Sequence, residues 1–203
     1  MKPLFSNVHF MKSASVMEEL LPDTGAEICF AGRSNAGKSS AINAITGVAK
    51  LARTSKTPGR TQLFNFFSLG DEARLVDLPG YGYAQVPRSI KIRWQKELNR
   101  YFCERQSLVG IVLMMDIRHP LTPNDQAMLT LALSNQLPVH ILLTKADKLS
   151  RSVAQNTVMK VRGELSGHQQ VSVQAFSSPQ LTGIEAAREQ LAHWLKDVLD
   201  EGS

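Results

Sequence analysis

No stretch of this chain approaches the roughly 18 consecutive apolar residues that a membrane-spanning helix needs. Residues 1–21 are broken by Lys2, Lys12, Glu18 and Glu19, so they lack the apolar core of a secretory leader, and a cytoplasmic protein is expected. Cysteine is scarce. Cys29 and Cys103 stand far apart, in no redox or metal-ligand spacing. That excludes a disulfide scaffold and a cysteine-held metal cluster, and both thiols are expected reduced, in or near the core. Repeats and low-complexity tracts are missing as well. No apolar stripe is left over after the core is built, so a monomer is expected. Acidic residues are the minority, 18 against 23 lysines and arginines, for a net charge of +5. This is a mild excess, informative only through where it falls.

What is present is a chain of 203 residues, of a size for one domain, with 43% hydrophobic residues to build its core. Strand-like and helix-like stretches alternate. Apolar, β-rich runs occupy 28–31, 63–69, 74–77, 109–116, 139–144 and 171–175. Helical stretches fill 38–45, 88–103, 123–134, 150–165 and 183–199. Thr122 and Pro123 read as N-cap and first helical residue. Four of the runs are near-continuously apolar, as in strands buried on both faces. The order implies an α/β fold. Its sheet is expected to be mostly parallel and six-stranded, with helices on both faces. The short turn at 70–72 makes 63–69 and 74–77 a hairpin, giving one antiparallel edge strand. The expected division is an N-terminal extension over 1–24, packed on or near a domain over 25–200, with a disordered tail at 201–203.

Gly32-Arg33-Ser34-Asn35-Ala36-Gly37-Lys38-Ser39 is a complete G-x-x-x-x-G-K-S loop between a strand and a helix. A triphosphate is a dense anion that an apolar core cannot hold. Backbone N–H groups at a helix N-terminus can hold it. Gly32 is expected to permit the tight turn and Gly37 to let the backbone approach. Lys38 reaches the β and γ oxygens, and the Ser39 hydroxyl is placed for Mg²⁺.

A phosphate loop alone fits an ATPase, a kinase or a GTPase, and further segments choose. Asp77-Leu78-Pro79-Gly80 ends a strand, so Asp77 can hold a Mg²⁺-bound water and the Gly80 N–H can meet a γ-phosphate. Thr144-Lys145-Ala146-Asp147 ends another strand. The Asp147 carboxylate can accept from N1–H and N2–H₂ of guanine, donors that adenine lacks, while the Lys145 stem lies across the base. Phe176-Ser177-Ser178 follows the last strand, where a loop would reach guanine O6. Residues 50–62 are polar, basic and punctuated by Pro58 and Gly59, like a loop ordered by γ-phosphate and Mg²⁺. Thr57 and Thr61 both offer the metal a second hydroxyl. Thr61, just before the edge strand, is preferred.

Together these segments resemble the translation-factor-related GTPases, in the TrmE-Era-EngA-like superfamily. They are most similar to the EngB (YihA/YsxC) family of ribosome-biogenesis GTP-binding proteins. The resemblance is carried by GRSNAGKSS at 32–40, SKTPGRTQ at 55–62, DLPGYGYA at 77–84, TKADK at 144–148 and FSS at 176–178, with an FMKSA lead-in at 10–14. It implies a P-loop NTPase fold, a Ras-like G domain, forming one Mg²⁺-dependent GTPase domain with Ser39 and Thr61 as metal ligands, beside Asp77. Catalytic work falls to Lys38, Thr61 and Gly80. The implied GTP contacts are residues 32–39, then Gly59, Arg60, Thr61, Gln62 and Leu63, then 77–80, 144–147 and 176–178. The resemblance further implies a role in large ribosomal subunit assembly and a need in cell division and septation.

Ras-type GTPases place a water-orienting Gln just after D-x-x-G, where this chain has Tyr81. Slow intrinsic hydrolysis is therefore expected, aided by a partner or by K⁺. Asn35 has two readings, a K⁺ ligand between the phosphates or a loop-shaping hydrogen bond. The positive charge gathers near the expected switching loops: Lys50, Arg53, Lys56 and Arg60 in one, and Arg88, Lys91, Arg93, Lys96 and Arg100 after the other. It reads as a surface for RNA phosphate, with Tyr83 and Trp94 interleaved, or as an ordinary solvated helix face. Trp94 is expected to pack its helix onto the sheet. A small-molecule kinase is disfavoured by TKAD and by the absence of an arginine-rich lid. A switch that binds a cell-division protein instead of ribosomal RNA remains the alternative.

Overall fold

Strand residues alternate between two faces, so a run that is apolar throughout needs a hydrophobic layer on each side. The computed structural model, which describes residues 4–5, 7–52, 63–70, 72–82 and 87–199, meets that demand with one central sheet. Its strands are β1 (Phe10–Ala14), β2 (Ala26–Gly32), β3 (Phe64–Leu69), β4 (Ala73–Asp77), β5 (Leu108–Asp116), β6 (Val139–Thr144) and β7 (Val171–Ala175). Their spatial order is β1-β3-β4-β2-β5-β6-β7. The helices are α1 (Lys38–Thr46), α2 (Arg88–Glu104), α3 (Pro123–Ser134), α4 (Arg151–Glu164) and α5 (Ile184–Leu199).

Alternate residues of one strand enter different cores. In β2, Cys29 and Ala31 join a cluster with Trp94, Leu98 and Tyr101 of α2, Met128 of α3 and Val158 of α4. Ile28 and Phe30 point the other way, toward Ile42 and Ile45 of α1 and Leu191 and Trp194 of α5. The expected α/β fold with helices on both faces is therefore present. The sheet has seven strands and not six, because residues 10–14 pair antiparallel with β3 and form the outer edge. The strand that runs against the rest is β3, antiparallel to both neighbours and one place in from the edge. Apolar content did not mark β1 as a strand. Phe10 and Met11 are exposed, and what defines the strand is its ladder to β3.

Thr122 and Asp125 form a capping box at α3, with Pro123 in the first turn. Trp94 is buried against the sheet as expected. Cys29 is buried, but Cys103 is exposed, against the expectation of a near-core thiol. Trp94, Leu98, Tyr101 and Phe102 define the inner face of α2, and the next residue turns outward.

Two buried polar groups stabilise the sheet. At the N-terminal ends of the strands, Glu27 is fully buried. It accepts from Tyr101 Oη (3.0 Å), Arg105 Nε (3.0 Å) and Arg105 Nη2 (2.5 Å), and pairs with Arg74 Nη1 at 3.1 Å. Both arginines also donate to Pro22 O, fixing the segment before β2. In β6, His140 lies between Ser172 Oγ (2.6 Å) and Gln174 Oε1 (3.0 Å), edge-on to Trp194. Burial pushes its pKa down to about 4, with the Arg162 charge adding to the effect of burial.

Candidate functional site

Parallel strands deliver their following loops to one end of the sheet, and a ligand crevice forms there. The loop at residues 33–37 links β2 to α1 and contains two left-handed residues, Asn35 (φ 62°) and Gly37 (φ 91°). Glycine adopts that geometry without strain, and asparagine tolerates it. Gly32 has a different function from the one expected. A Cβ there would lie 3.1 Å from both Cβ and O of Met114, so its smallness seats β2 on β5, while the turn is made at Asn35 and Gly37. The amides of Asn35, Gly37, Lys38 and Ser39 have no acceptor among the described residues. A run of unmatched N–H groups entering a helix suits an anion such as a phosphate chain.

The neighbouring segments brace this loop. The buried Thr144 hydroxyl lies 2.7 Å from Ala36 O and 3.1 Å from Met115 O. Beyond β4, Leu78 N donates to Phe30 O, and its side chain is buried. Gly80 lies against Ser34, Ser34 N donates to Tyr81 O (3.0 Å), and Tyr81 N donates to Gly32 O (3.3 Å). Lys38 Nζ is ion-paired with Asp77 at the end of β4. Among the described residues, no cluster of three or more His, Cys, Asp and Glu could hold a metal. A metal here would rest on a hydroxyl, a carboxylate and ligand oxygens. Ser39, Asp77 and a phosphate fit that donor set for a hard cation such as Mg²⁺.

Tyr81 reaches toward α3. It is buried, and its hydroxyl donates to Asp125 Oδ1 (3.0 Å) at the start of α3. Burial, reinforced by the Asp125 charge, keeps the phenol protonated. Asp125 is fully buried. Its other oxygen accepts from Thr122 N (3.1 Å) and Thr122 Oγ1 (2.7 Å). Arg33 Nε lies 3.5 Å from Asp125 Oδ1, in an ion pair without a hydrogen bond. The sequence did not disclose this junction of three segments. Its one signal was the capping-box spacing of Thr122 and Asp125.

At the other corner, Lys145 is left-handed (φ 60°) and opens the 3-10 turn Ala146–Lys148. Ala146 N donates to Phe176 O (3.1 Å), joining the loops after β6 and β7. Asp147 accepts from the buried Ser177 hydroxyl (2.7 Å), which holds its pKa below the ordinary carboxylate value. The Ser177 N–H is committed to Thr182 O. The Phe176 side chain belongs to the core between the sheet, α1 and α5. Lys145 Nζ reaches Asp116 Oδ2 (3.0 Å) at the end of β5, and Arg118 also grips Asp116. Sequence reasoning passed over Asp116 and Arg118, whose only signal was a strand-terminal Asp followed two residues later by Arg.

Residues 32–39, 77–80, 144–147 and 176–178 thus come together at one end of the sheet, and Leu63 leads into β3 nearby in sequence. Gly59, Arg60, Thr61 and Gln62 lie outside the described residues, as do Arg53, Lys56, Thr57 and Tyr83. On α2, Arg88, Arg93 and Lys96 are exposed and Lys91 is half-buried. None of the four forms an ion pair among the described residues, whereas Arg100 pairs with Glu18, Glu97 and Glu104. No helix among the described residues is long and apolar enough to cross a membrane.

Residues 27–145, more than half of the chain, match the model of the 50S ribosome-binding GTPase family. The fold is shared with solved structures of low identity. A probable GTP-binding protein engB is 20% identical with a TM-score of 0.66, over 85% of this chain and 99% of that one. Era in complex with MgGDPNP and nucleotides 1506–1542 of 16S ribosomal RNA is 18% identical with a TM-score of 0.64, over 84% of this chain and 57% of that one. A GDP-bound mutant of the S. thermophilus FeoB G-domain is 24% identical with a TM-score of 0.58, over 85% of this chain and 62% of that one. A braced phosphate loop, an aspartate-ended β4 and a Thr-Lys-Ala-Asp turn at one sheet end, within the span of the family match, make this chain a member of the 50S ribosome-binding GTPase family.

Proposed function

We propose that this protein is a GTP-controlled switch of the EngB kind that acts in assembly of the large ribosomal subunit. The carrying observation is spatial. The segment from Asp77 to Gly82 lies along the phosphate loop, and α2, with its unpaired cations, follows it in the chain. A γ-phosphate drawn to the Gly80 amide would shift the lead-in to that helix. The family description and the likeness to EngB support a ribosomal partner. The guanine contacts are Asp147 for the base edge and the loop at 176–178 for O6. The amides of Asn35, Gly37, Lys38 and Ser39, with the Lys38 ammonium, hold the phosphates. Mg²⁺, bound by Ser39 and the phosphates near Asp77 and completed by Thr61, would neutralise charge on the β and γ oxygens. Tyr81 donates its hydroxyl to Asp125 and so does not orient the attacking water. Intrinsic hydrolysis should therefore be slow, on the order of 10⁻⁴ s⁻¹. A partner supplies the missing stimulation, or K⁺ beside the left-handed Asn35 does. Equal rates in KCl and NaCl, with and without ribosomal particles, would remove the K⁺ route.

The deciding experiment is co-sedimentation with large ribosomal subunits in a non-hydrolysable GTP analogue and in GDP. Retention with the analogue and release with GDP is expected, with an affinity that falls as salt rises. Binding blind to the nucleotide at both low and physiological salt would overturn the ribosomal reading. Capture of a division protein that survives ribonuclease would point to the septation role instead.

A further inference from the structure

β5 and β6 run in parallel with Asp116 opposite Thr144, so the residue after Thr144 emerges beside the Asp116 carboxylate. That residue is Lys145. Its backbone is already constrained: left-handed at φ 60°, with its carbonyl accepting from Lys148 N (2.9 Å). Its ammonium is constrained as well, 3.0 Å from Asp116 Oδ2. Asp116 is buried and cannot swing away. Arg118 fixes it from the far side through Nε to Oδ1 (2.9 Å), Nη2 to Oδ2 (2.6 Å) and its own backbone N–H to Oδ1 (3.1 Å). One carboxylate therefore receives four donors. Exposed ion pairs contribute little, because two free side chains must be ordered to make them. Here the acceptor is buried and gripped bidentately, and only the lysine remains to be placed.

We propose that Asp116 and Arg118 are positioning residues that hold the Lys145 stem ready to stack on the guanine base. This deepens the reading of Asp147 as the guanine-binding carboxylate and rests on it. A lysine free at the rim would lose its rotamer freedom when a base arrived. A lysine already tied to Asp116 loses little, and tying the ammonium there keeps it from the phosphates. The device acts at the base end, so it should serve nucleoside diphosphate and triphosphate alike. It should also be indifferent to the purine 2-amino group, which Asp147 reads.

The test is titration calorimetry on the full chain with GDP and with a non-hydrolysable GTP analogue. Asp116→Asn should weaken both by the same factor, roughly tenfold, the equivalent of one charge-assisted hydrogen bond. In the Lys145→Met background, which keeps the stem and removes the ammonium, Asp116→Asn should cost nothing further. Additive losses would show that Asp116 acts on the fold and not through Lys145, and unchanged affinity would equally overturn the proposal. If Asp116→Asn fails to fold, the half-exposed Arg118→Gln takes its place, with about a threefold loss expected for both nucleotides and none in the Lys145→Met background. Asp147→Asn separates the two levels. If wild type and Asp147→Asn bind guanine and adenine nucleotides equally, the guanine reading itself fails. If only wild type prefers guanine and Asp116 and Arg118 are neutral, the positioning role fails alone.

Discussion

The two ends of the sheet carry the same kinds of residue and use them in opposite ways. At the N-terminal ends of the strands, Glu27 is surrounded by Arg74, Arg105 and Tyr101, and each cation also donates to a carbonyl of the preceding segment. That cluster is closed on itself, with both Glu27 oxygens already engaged by protein donors. At the C-terminal ends, among the described residues, the amides of Asn35, Gly37, Lys38 and Ser39 are unmatched, Asp147 is held by a serine hydroxyl and a neighbouring lysine, and Lys38 pairs with Asp77 alone. Buried polar groups that satisfy one another fix a fold. Groups held in place but left short of partners make a site. The contrast predicts that lesions at one end change stability and lesions at the other change binding.

The largest effect should come at the open end. Asp147→Asn should lower GTP affinity by roughly 10³-fold or more, because the amide cannot accept both guanine donors. Its urea midpoint should stay close to that of wild type, since Asp147 is on the rim. A large stability loss would erase the distinction between the two ends. Next comes the closed end. Glu27→Ala leaves two arginines buried without their carboxylate, at a cost of about 3–5 kcal/mol. Equilibrium denaturation should show this loss, while any surviving folded fraction binds nucleotide normally. Reduced affinity in that fraction would show that the two ends are coupled.

His140 offers a third test, set by acid. Its pKa in the folded protein is about 4, below the ordinary histidine value of 6.5. Between those values the unfolded chain takes up a proton that the folded protein refuses, so stability falls as the pH drops from 6.5 toward 4. The full effect is on the order of 3 kcal/mol. A His140→Gln variant should lose that part of the slope in urea midpoints measured from pH 7 to 5. An unchanged slope would assign the acid sensitivity elsewhere. The smallest effect is expected from Tyr81→Phe, about 1 kcal/mol from one lost hydrogen bond. Its single-turnover GTP hydrolysis should match that of wild type, and a clear drop in rate would mean that the phenol takes part in the chemistry.

Sequence by itself determined the order of the elements from β2 onward, because apolar period and helix caps are local. It also determined the phosphate loop, the D-x-x-G turn and the Thr-Lys-Ala-Asp turn, because each is contiguous and each ends a readable strand. Tertiary structure alone decided what depends on residues far apart in the chain. Residues 10–14 are a strand only because β3 offers an edge to them. Gly32 must be small only because Met114 lies across from it. Cys103 faces solvent because the inner stripe of α2 closes at Phe102. Tyr81 stands where a water-orienting residue would be expected, but its partner Asp125 is 44 residues away in sequence. Asp116 and Lys145 meet only because two parallel strands end in register. Local chemistry is written in local sequence, whereas the partner of a polar side chain is set by how strands are ordered in the sheet.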